Sequence, residues 1–579
     1  MPTPTIRYTV AMPRPATHLL NVSVEIDGPG DAVELRFPVW TPGSYMVREF
    51  ARHVQGFRAE AGGNPLRWTK TRKDSWRIEC EGAPTVAVSY DVYANDLTVR
   101  TSHLDATHAF FNPANLLPYT PARAREPLLL TVRAPMGWTV ATGLARADRA
   151  GTVFLASDYD ELVDCPVHVG PDPVLEFQAC GAPHCVATWG RSNLDPARLL
   201  ADLTRIVETE AAIFGGVPYR DYLFILMATS GGRGGLEHRN SSANMVPRFS
   251  FRPGRTYERV LSLLAHEHFH TWNVKRIHPM WNGGAYDYGI ENYTRLLWAM
   301  EGITEYYSSL TLRRAGLITP ERYLEILADQ MRDLAETPGR ALQSLEEASF
   351  DAWIKYYRPD EHSANSSVSY YLKGALVSLL LDLEIRERTS GARSLDDLMR
   401  LLWERYGMPD RGVPEDAYQA LVREVAGGDW SAFFDRYVRG REELDLAPAL
   451  RSVGIEIETK RDANAPEAWL GIRTRTESGR LKIAAIPSSG PAWESELSAG
   501  DEILAVDGFR VDDASLADRL RDYRPGDTAT VAAFHGDQLI EVPIVLGTAP
   551  ATRFTLKKIA RPTVRQREAY ASWIAAPWK

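Results

Sequence analysis

The stretch "LLAHEHFHTWNVKRIHP", Leu263 to Pro279, places His266, His268 and His270 within five residues of a chain that has 13 histidines. Residues i and i+4 project from one face of an α-helix, so His266 and His270 reach one point if the stretch is helical. Two imidazoles so placed suit Zn2+, and Glu267 stands beside the first, where a carboxylate polarises a water at the metal. His268 lies about 200° around the helix from His266, at roughly 100° per residue, and is expected to face elsewhere. The preceding "VLSLLA" supplies the apolar face that a buried helix needs.

The third ligand sets the class of zinc chemistry. The metzincin pattern needs a glycine three residues past the second histidine and another histidine three further on. Those positions hold Asn273 and Arg276, while His278 is offset by two residues and precedes Pro279. A glutamate from a second helix is the other solution. "NYTRLLWAMEGITEYYSSL" offers Glu301 and Glu305, one turn apart on one face. The apolar "LLWAM" before Glu301 marks it as the buried one, and Gly302 permits close helix approach. Glu301 is therefore expected as the third ligand, and Glu305 as the acceptor for the non-ligating nitrogen of a zinc histidine.

These residues need a frame to position them. At 579 residues the chain exceeds one ordinary core and implies three or four domains. Its 44% apolar and 24% charged residues are those of a soluble globular protein. The net charge of −9, with scattered basic residues, gives no reason to expect nucleic acid. No apolar run reaches the roughly 18 residues that span a membrane, and the N-terminus as written lacks a signal peptide, so a cytoplasmic protein is expected. Cys80, Cys165, Cys180 and Cys185 are too sparse for a disulfide framework, and Cys180, His184 and Cys185 make only a weak zinc pattern.

Residues 1–170 alternate with period two ("LLNVSVEI", "TVAVSYDVYA") between turns such as "DGPGD", which predicts an all-β, sandwich-like domain without a catalytic constellation. Residues 171–459 change to a short mixed sheet, with a helix from Pro196 capped by Asp195, and then a helical lobe. Residues 460–549 are β-rich again, and the Asp-Gly after "EILAV" signals a hairpin. The last 30 residues, 550–579, show no clear period.

Taken together, "HEHFHTWNVKRIHP", "LLWAMEGITEYY", "GGLEHRNSS" and "YYLKGALVSLLLDL" resemble the glycyl aminopeptidase family of PDZ-containing gluzincin metallopeptidases. The resemblance covers nearly the whole chain. It implies a multidomain α+β protein: an N-terminal all-β domain, a thermolysin-like catalytic domain and a C-terminal PDZ domain. It also implies one Zn2+ per chain held by His266, His270 and Glu301, with Glu267 as general base. His278 replaces an arginine in the usual "KRIRP" ending, a small departure.

Related gluzincin aminopeptidases carry a Gly-x-Met-Glu-Asn strand whose glutamate binds the substrate's α-ammonium. "RGGLEHRN" is similar, with Glu237 in the glutamate's place and His238 in the asparagine's. They also carry a Tyr-x-Lys-Gly step whose tyrosine donates to the tetrahedral oxyanion; here "YLKG" gives Tyr371, with Tyr370 as its rival on another side of the helix. In the segment that resembles a bacterial-type PDZ domain, Leu470, Gly471 and Ile472 would form the loop that receives a peptide C-terminal carboxylate. The reading is a zinc aminopeptidase acting on peptides, with small N-terminal residues such as Gly or Ala suggested by the resemblance. A zinc endopeptidase to which the PDZ domain delivers chain ends, and a non-catalytic peptide-binding scaffold, are the alternatives.

Overall fold

The alternating pattern of the first 170 residues becomes strand. In Leu19–Asp27, Leu20, Val22, Val24 and Ile26 face inward and their neighbours outward. The computed structural model describes residues 4–281, 286–461, 465–551 and 553–578. They form two compact units: Met1–Thr294, Tyr307–Leu317 and Met399–Glu415 make the first, and Arg295–Tyr306, Ile318–Leu398 and Asp416–Lys579 the second.

The first unit begins with an eight-stranded sheet. Its central strands run in the order Leu128–Arg133, Ile6–Ala11, Leu19–Asp27, Thr85–Tyr93. A four-stranded sheet follows, ordered Thr139–Thr142, Val167–Gly170, Ala109–Phe111, His103–Leu104. The peptidase sheet has five strands. Ala182–Trp189, Tyr222–Thr229 and Ser241–Pro247 are parallel, and Gly234–Glu237 runs antiparallel along the edge. Tyr222–Thr229 is buried along its whole length, as a central strand covered on both faces must be. Val99, Phe110 and Ala141 share one apolar cluster with Leu223, Ile225, Met227 and Leu236, so the N-terminal sheets and the peptidase sheet have a continuous core.

Asp195 caps helix Pro196–Phe214 by accepting from the Arg198 amide, and Gly215 ends it at φ +81°. The histidine helix, Arg255–Phe269, packs on this helix and on the strands Gly234–Glu237 and Ser241–Pro247. It stops sooner than the periodicity suggests. His270 keeps helical angles, and the chain then folds back through Val274, a β-branched residue at φ +114°. The buried ion pair of Lys275 with Asp164 (2.5 Å) holds that turn.

The second unit is the helical lobe and the PDZ domain. The helix expected from Asn292 begins only at Trp298, as a π-turn over Trp298–Gly302 that continues into Ile303–Arg314. A Cβ on Gly302 would lie 2.6 Å from the Gly374 Cα, so the glycines of "MEG" and "YLKG" meet backbone to backbone. The PDZ sheet runs Arg473–Glu477, Arg480–Ala485, Glu502–Val506, Thr528–His535, Gln538–Val545 around its own core, which includes Leu481, Ile483, Val506 and Val531. Its predicted hairpin has Asp507 and Gly508 both at positive φ (49° and 77°), as a type I′ turn requires. Beyond it, Arg553–Lys558 pairs antiparallel with Ile455–Lys460, and helix Val564–Ile574 buries Trp573, whose Nε1 donates to the Tyr306 hydroxyl. The segment without a clear period is thus built into the lobe.

The PDZ domain is anchored to the helical lobe. Asn365 donates to the Ile486 carbonyl (2.8 Å) and accepts from the Ser488 amide (2.9 Å), His362 stacks on Trp493, and Arg473 donates to the Glu336 carbonyl. Truncation after Thr459 would remove Trp573 as well as the PDZ domain and should unfold the lobe. The informative deletion removes residues 466–547 and joins the paired strands by a short turn. It should leave a folded protein with its zinc, while kcat on a tripeptide falls about tenfold or more because the segment around Asn365 loses its anchors. Unchanged kcat on tripeptides with loss on longer peptides would instead mean that the PDZ domain only delivers substrate.

Candidate metal centre and substrate site

The histidine helix presents His266 and His270 as the i, i+4 spacing predicts. Their Nε2 atoms are 3.0 Å apart and both residues are buried. The Nδ1 of His270 lies 2.7 Å from the Asn273 carbonyl oxygen. A carbonyl only accepts, so that nitrogen carries the proton and Nε2 offers its lone pair. His268 faces away, as expected. It lies between the Glu210 carboxyl (2.7 Å from Nδ1) and the Tyr219 hydroxyl (2.7 Å from Nε2). Burial pushes the Glu210 carboxyl well up and the His268 imidazole well down, so neither adds a charge to the site.

Glu267 points at the edge strand. A Cβ on Gly235 would lie 1.8 Å from the Glu267 Oε1, so that space exists only because residue 235 is glycine. Two residues on, Glu237 is 4% exposed and its Oε1 has no hydrogen-bond partner among the described residues. Carboxylate atoms of Glu237 and Glu267 and a ring nitrogen of His270 lie within 4.8 Å of one another. The Glu237 carboxylate is walled in by Gly43 of "TPGSY", where a Cβ would come within 2.6 Å of it. His238 does not reach this carboxylate's role. Its amide closes the hairpin onto the Ser241 carbonyl, and its ring faces Asp164 at 3.4 Å. The neighbouring Lys275 and His238 hold the Asp164 carboxyl well below the usual range despite its burial.

In the second unit Glu301 is buried in the π-turn and Glu305 is half-buried one turn later. Tyr370 and Tyr371 occupy the turn before helix Leu372–Arg388 rather than opposite sides of it. Their rings stack 4.8 Å apart, and Tyr356 packs against both. Tyr370 is fully buried, whereas Tyr371 is half-buried, with its hydroxyl 3.2 Å from that of Tyr357. Burial, and then the charge of Glu301, push the Tyr371 phenol well above its ordinary value and keep it a proton donor.

Family models match this chain for the Peptidase M61 N-terminal domain over residues 7–171, M61 glycyl aminopeptidase over 259–377, and a PDZ domain over 468–546. An aminopeptidase N family protein from Idiomarina loihiensis is similar at 32% identity and a TM-score of 0.93, covering 98% of this chain and 100% of its own. The chain belongs to the M61 glycyl aminopeptidase family. It is a zinc metallopeptidase with a β-rich N-terminal domain, a thermolysin-like peptidase domain and a PDZ domain. A mutant M1 zinc metallopeptidase from Deinococcus radiodurans, bound to a Tyr-Ser-Ala substrate, shares the fold at 16% identity and a TM-score of 0.50, over 76% of this chain and 94% of its own. Among curated proteins, none matches this sequence.

The donor set of this M61 chain fits zinc: imidazole nitrogens converge beside carboxylates in a buried place. Among its described residues, no helix is long and apolar enough to cross a membrane. The four cysteines are unpaired, and His184 is engaged by the Ala182 carbonyl and Tyr219. In the PDZ domain Leu470 is buried and its carbonyl accepts from the Ala492 amide. Gly471, at φ +76°, rests on Gly490, and Ile472 packs on the domain core.

Residues that the sequence does not flag also shape the M61 site. Gly43, Asp164 and Arg100, whose guanidinium donates to the Gly235 carbonyl, all come from the region expected to carry no part of it. The Pro-Gly of "TPGSY" is a readable turn signal, but nothing local ties it to Glu237. Gly235→Ala should keep zinc and lower kcat by about 100-fold, since Glu267 must move to admit the methyl group. Near-normal kcat in that variant would mean that Glu267 has no fixed working position.

Proposed function

We propose that the protein removes the N-terminal residue from peptides, with one catalytic zinc per chain held by His266, His270 and Glu301. The zinc ligands rest on the converging imidazoles and on the buried Glu301, whose helix continues to Tyr307, stacked on Phe269 of the histidine helix. Glu305 is the proposed hydrogen-bonding partner of a ligand histidine.

The observation that carries the exopeptidase reading is the distance between Glu237 and Glu267. Their carboxylate atoms fall within 4.8 Å. The nitrogen and carbonyl carbon of one amino acid are about 2.5 Å apart, given the bonds and angle at Cα, whereas each further residue of an extended chain adds about 3.4 Å. An ammonium on Glu237 and a carbonyl beside Glu267 therefore belong to the same residue. An endopeptidase would need that space for the chain upstream.

Zinc, when bound, supplies Lewis acidity, lowering the pKa of water and polarising the scissile carbonyl. Glu237 holds the α-ammonium and fixes the register. Glu267 takes the proton of the attacking water and returns it to the leaving amine. Tyr371 donates to the oxyanion as charge develops there. A preference for small N-terminal residues such as Gly or Ala follows the family's glycyl aminopeptidase description. The loop Leu470–Ile472 is the proposed seat of a peptide C-terminus.

Metal analysis after dialysis should find about one tightly held zinc per chain, as one set of three protein ligands implies. Glu301→Gln should lose most of it and Glu305→Gln should retain it. The reverse pattern would exchange the two roles.

A further inference from the structure

Four histidines gather far from that centre in sequence: His18, His103, His108 and His168, all in the N-terminal region, on its strands or in the turns beside them. Two of them and a carboxylate sit on one hairpin. His103 and Phe111 bound it, and "DATH", between the paired Leu104 and Ala109, forms its turn. Asp105 Oδ1 accepts from the Thr107 amide (2.7 Å), the Thr107 hydroxyl (2.6 Å) and the His108 amide (3.1 Å), which fixes the turn. Ligand atoms of His103, Asp105 and His108 fall within 4.8 Å of one another.

An ordinary core histidine would have its ring nitrogens hydrogen-bonded. These do not. His108 is fully buried, and among the described residues neither of its ring nitrogens has a hydrogen-bond partner, the Asp105 carboxylate standing 3.7 Å from Nδ1; Nδ1 of His103 and Nε2 of the adjacent His168 likewise have none there. The ring of His108 is clamped flat on Trp189 at 3.7 Å, and Trp189 Nε1 donates to the Thr107 hydroxyl. The side chain of Asp105 is 32% exposed and leaves an entry from solvent.

We infer that His103, Asp105 and His108 form a second, structural metal site that takes Zn2+ with two imidazoles and one carboxylate. Bound there, the ion ties the hairpin of the N-terminal domain to strand Ala182–Trp189 of the peptidase sheet through the Trp189 contact. It is additional to the catalytic zinc, and the part-exposed Asp105 leaves it more readily exchanged than an ion held by buried ligands.

The test is Zn2+ titration of the full-length protein after chelator treatment, followed by calorimetry and by the thermal midpoint. Wild type should bind two equivalents and rise in Tm as the second binds. His103→Ala/His108→Ala should bind one and keep wild-type turnover at saturating zinc. His266→Ala/His270→Ala should also bind one, retaining the Tm rise that belongs to the hairpin. Asp105→Asn keeps the turn's acceptor oxygen and should weaken the second site at least tenfold in an otherwise normal fold. A wild type that stops at one equivalent, or an Asp105→Asn protein that binds two with unchanged affinities, would overturn the assignment.

Discussion

Glu237→Ala should abolish most cleavage of H-Gly-Ala-type peptides while leaving zinc in place, and wild type should leave N-acetylated forms of the same peptides nearly untouched. The Glu237 carboxylate is buried, and its Oε1 has no partner among the described residues. An ammonium supplies the missing partner; an acetylated nitrogen brings no charge and leaves the carboxylate buried without compensation. Loss of one member of a buried charged pair costs about 3–5 kcal/mol, or roughly two to nearly four orders of magnitude in kcat/KM for the free peptide. The variant should therefore lose most of its preference for a free terminus. Equal cleavage of free and acetylated peptides by wild type would remove the aminopeptidase reading and make the endopeptidase alternative the leading one.

Glu267→Gln should lower kcat by about 10²–10⁴, the range for removing a general base, with KM and zinc content near those of wild type. The amide has the carboxylate's shape and fits the space above Gly235, but it cannot take a proton from water. Its effect separates from that of Gly235→Ala, which keeps the base and displaces it. If Glu267→Gln turned over normally, proton transfer would have to be assigned elsewhere, with Tyr371 the next group to examine.

How much was legible in the sequence depends on how local each signal is. His266 and His270 are fixed by helix periodicity alone, and the neighbouring helix turn sends His268 to Glu210 as the 100° step requires. Gly302 also announces its purpose, although its partner, Gly374, is 72 residues away and is read only from the structure. The π-turn that carries Glu301 leaves no mark in the sequence, because Trp-Ala-Met-Glu-Gly fits an α-helix equally well. The tyrosine pair shows the limit of periodic reasoning. The helical pattern runs through Tyr370 and Tyr371, but the chain turns there and stacks their rings. At the C-terminal end, Thr563 and Gln566 form a capping box that marks a helix start, yet charged and amide side chains dominate the helix's first turn and only Tyr570, Trp573 and Ile574 face inward. Gly43 and Asp164 were beyond reach because they meet Glu237 and Lys275 only through tertiary folding, across separations that no motif spans.

The pairing of Ile455–Lys460 with Arg553–Lys558 makes the PDZ domain an excursion from a peptidase lobe that resumes after it. A chain leaving the ribosome presents the histidines, the site's glutamates and the tyrosine turn long before it presents Trp573. Until that residue arrives, Tyr306 lacks the indole that donates to its hydroxyl and the helical lobe is left open. Nascent chains should therefore stay inactive and protease-sensitive through synthesis of the entire PDZ domain. Hydrolytic competence would then appear late and abruptly, which keeps an unfinished peptidase from acting on other chains nearby.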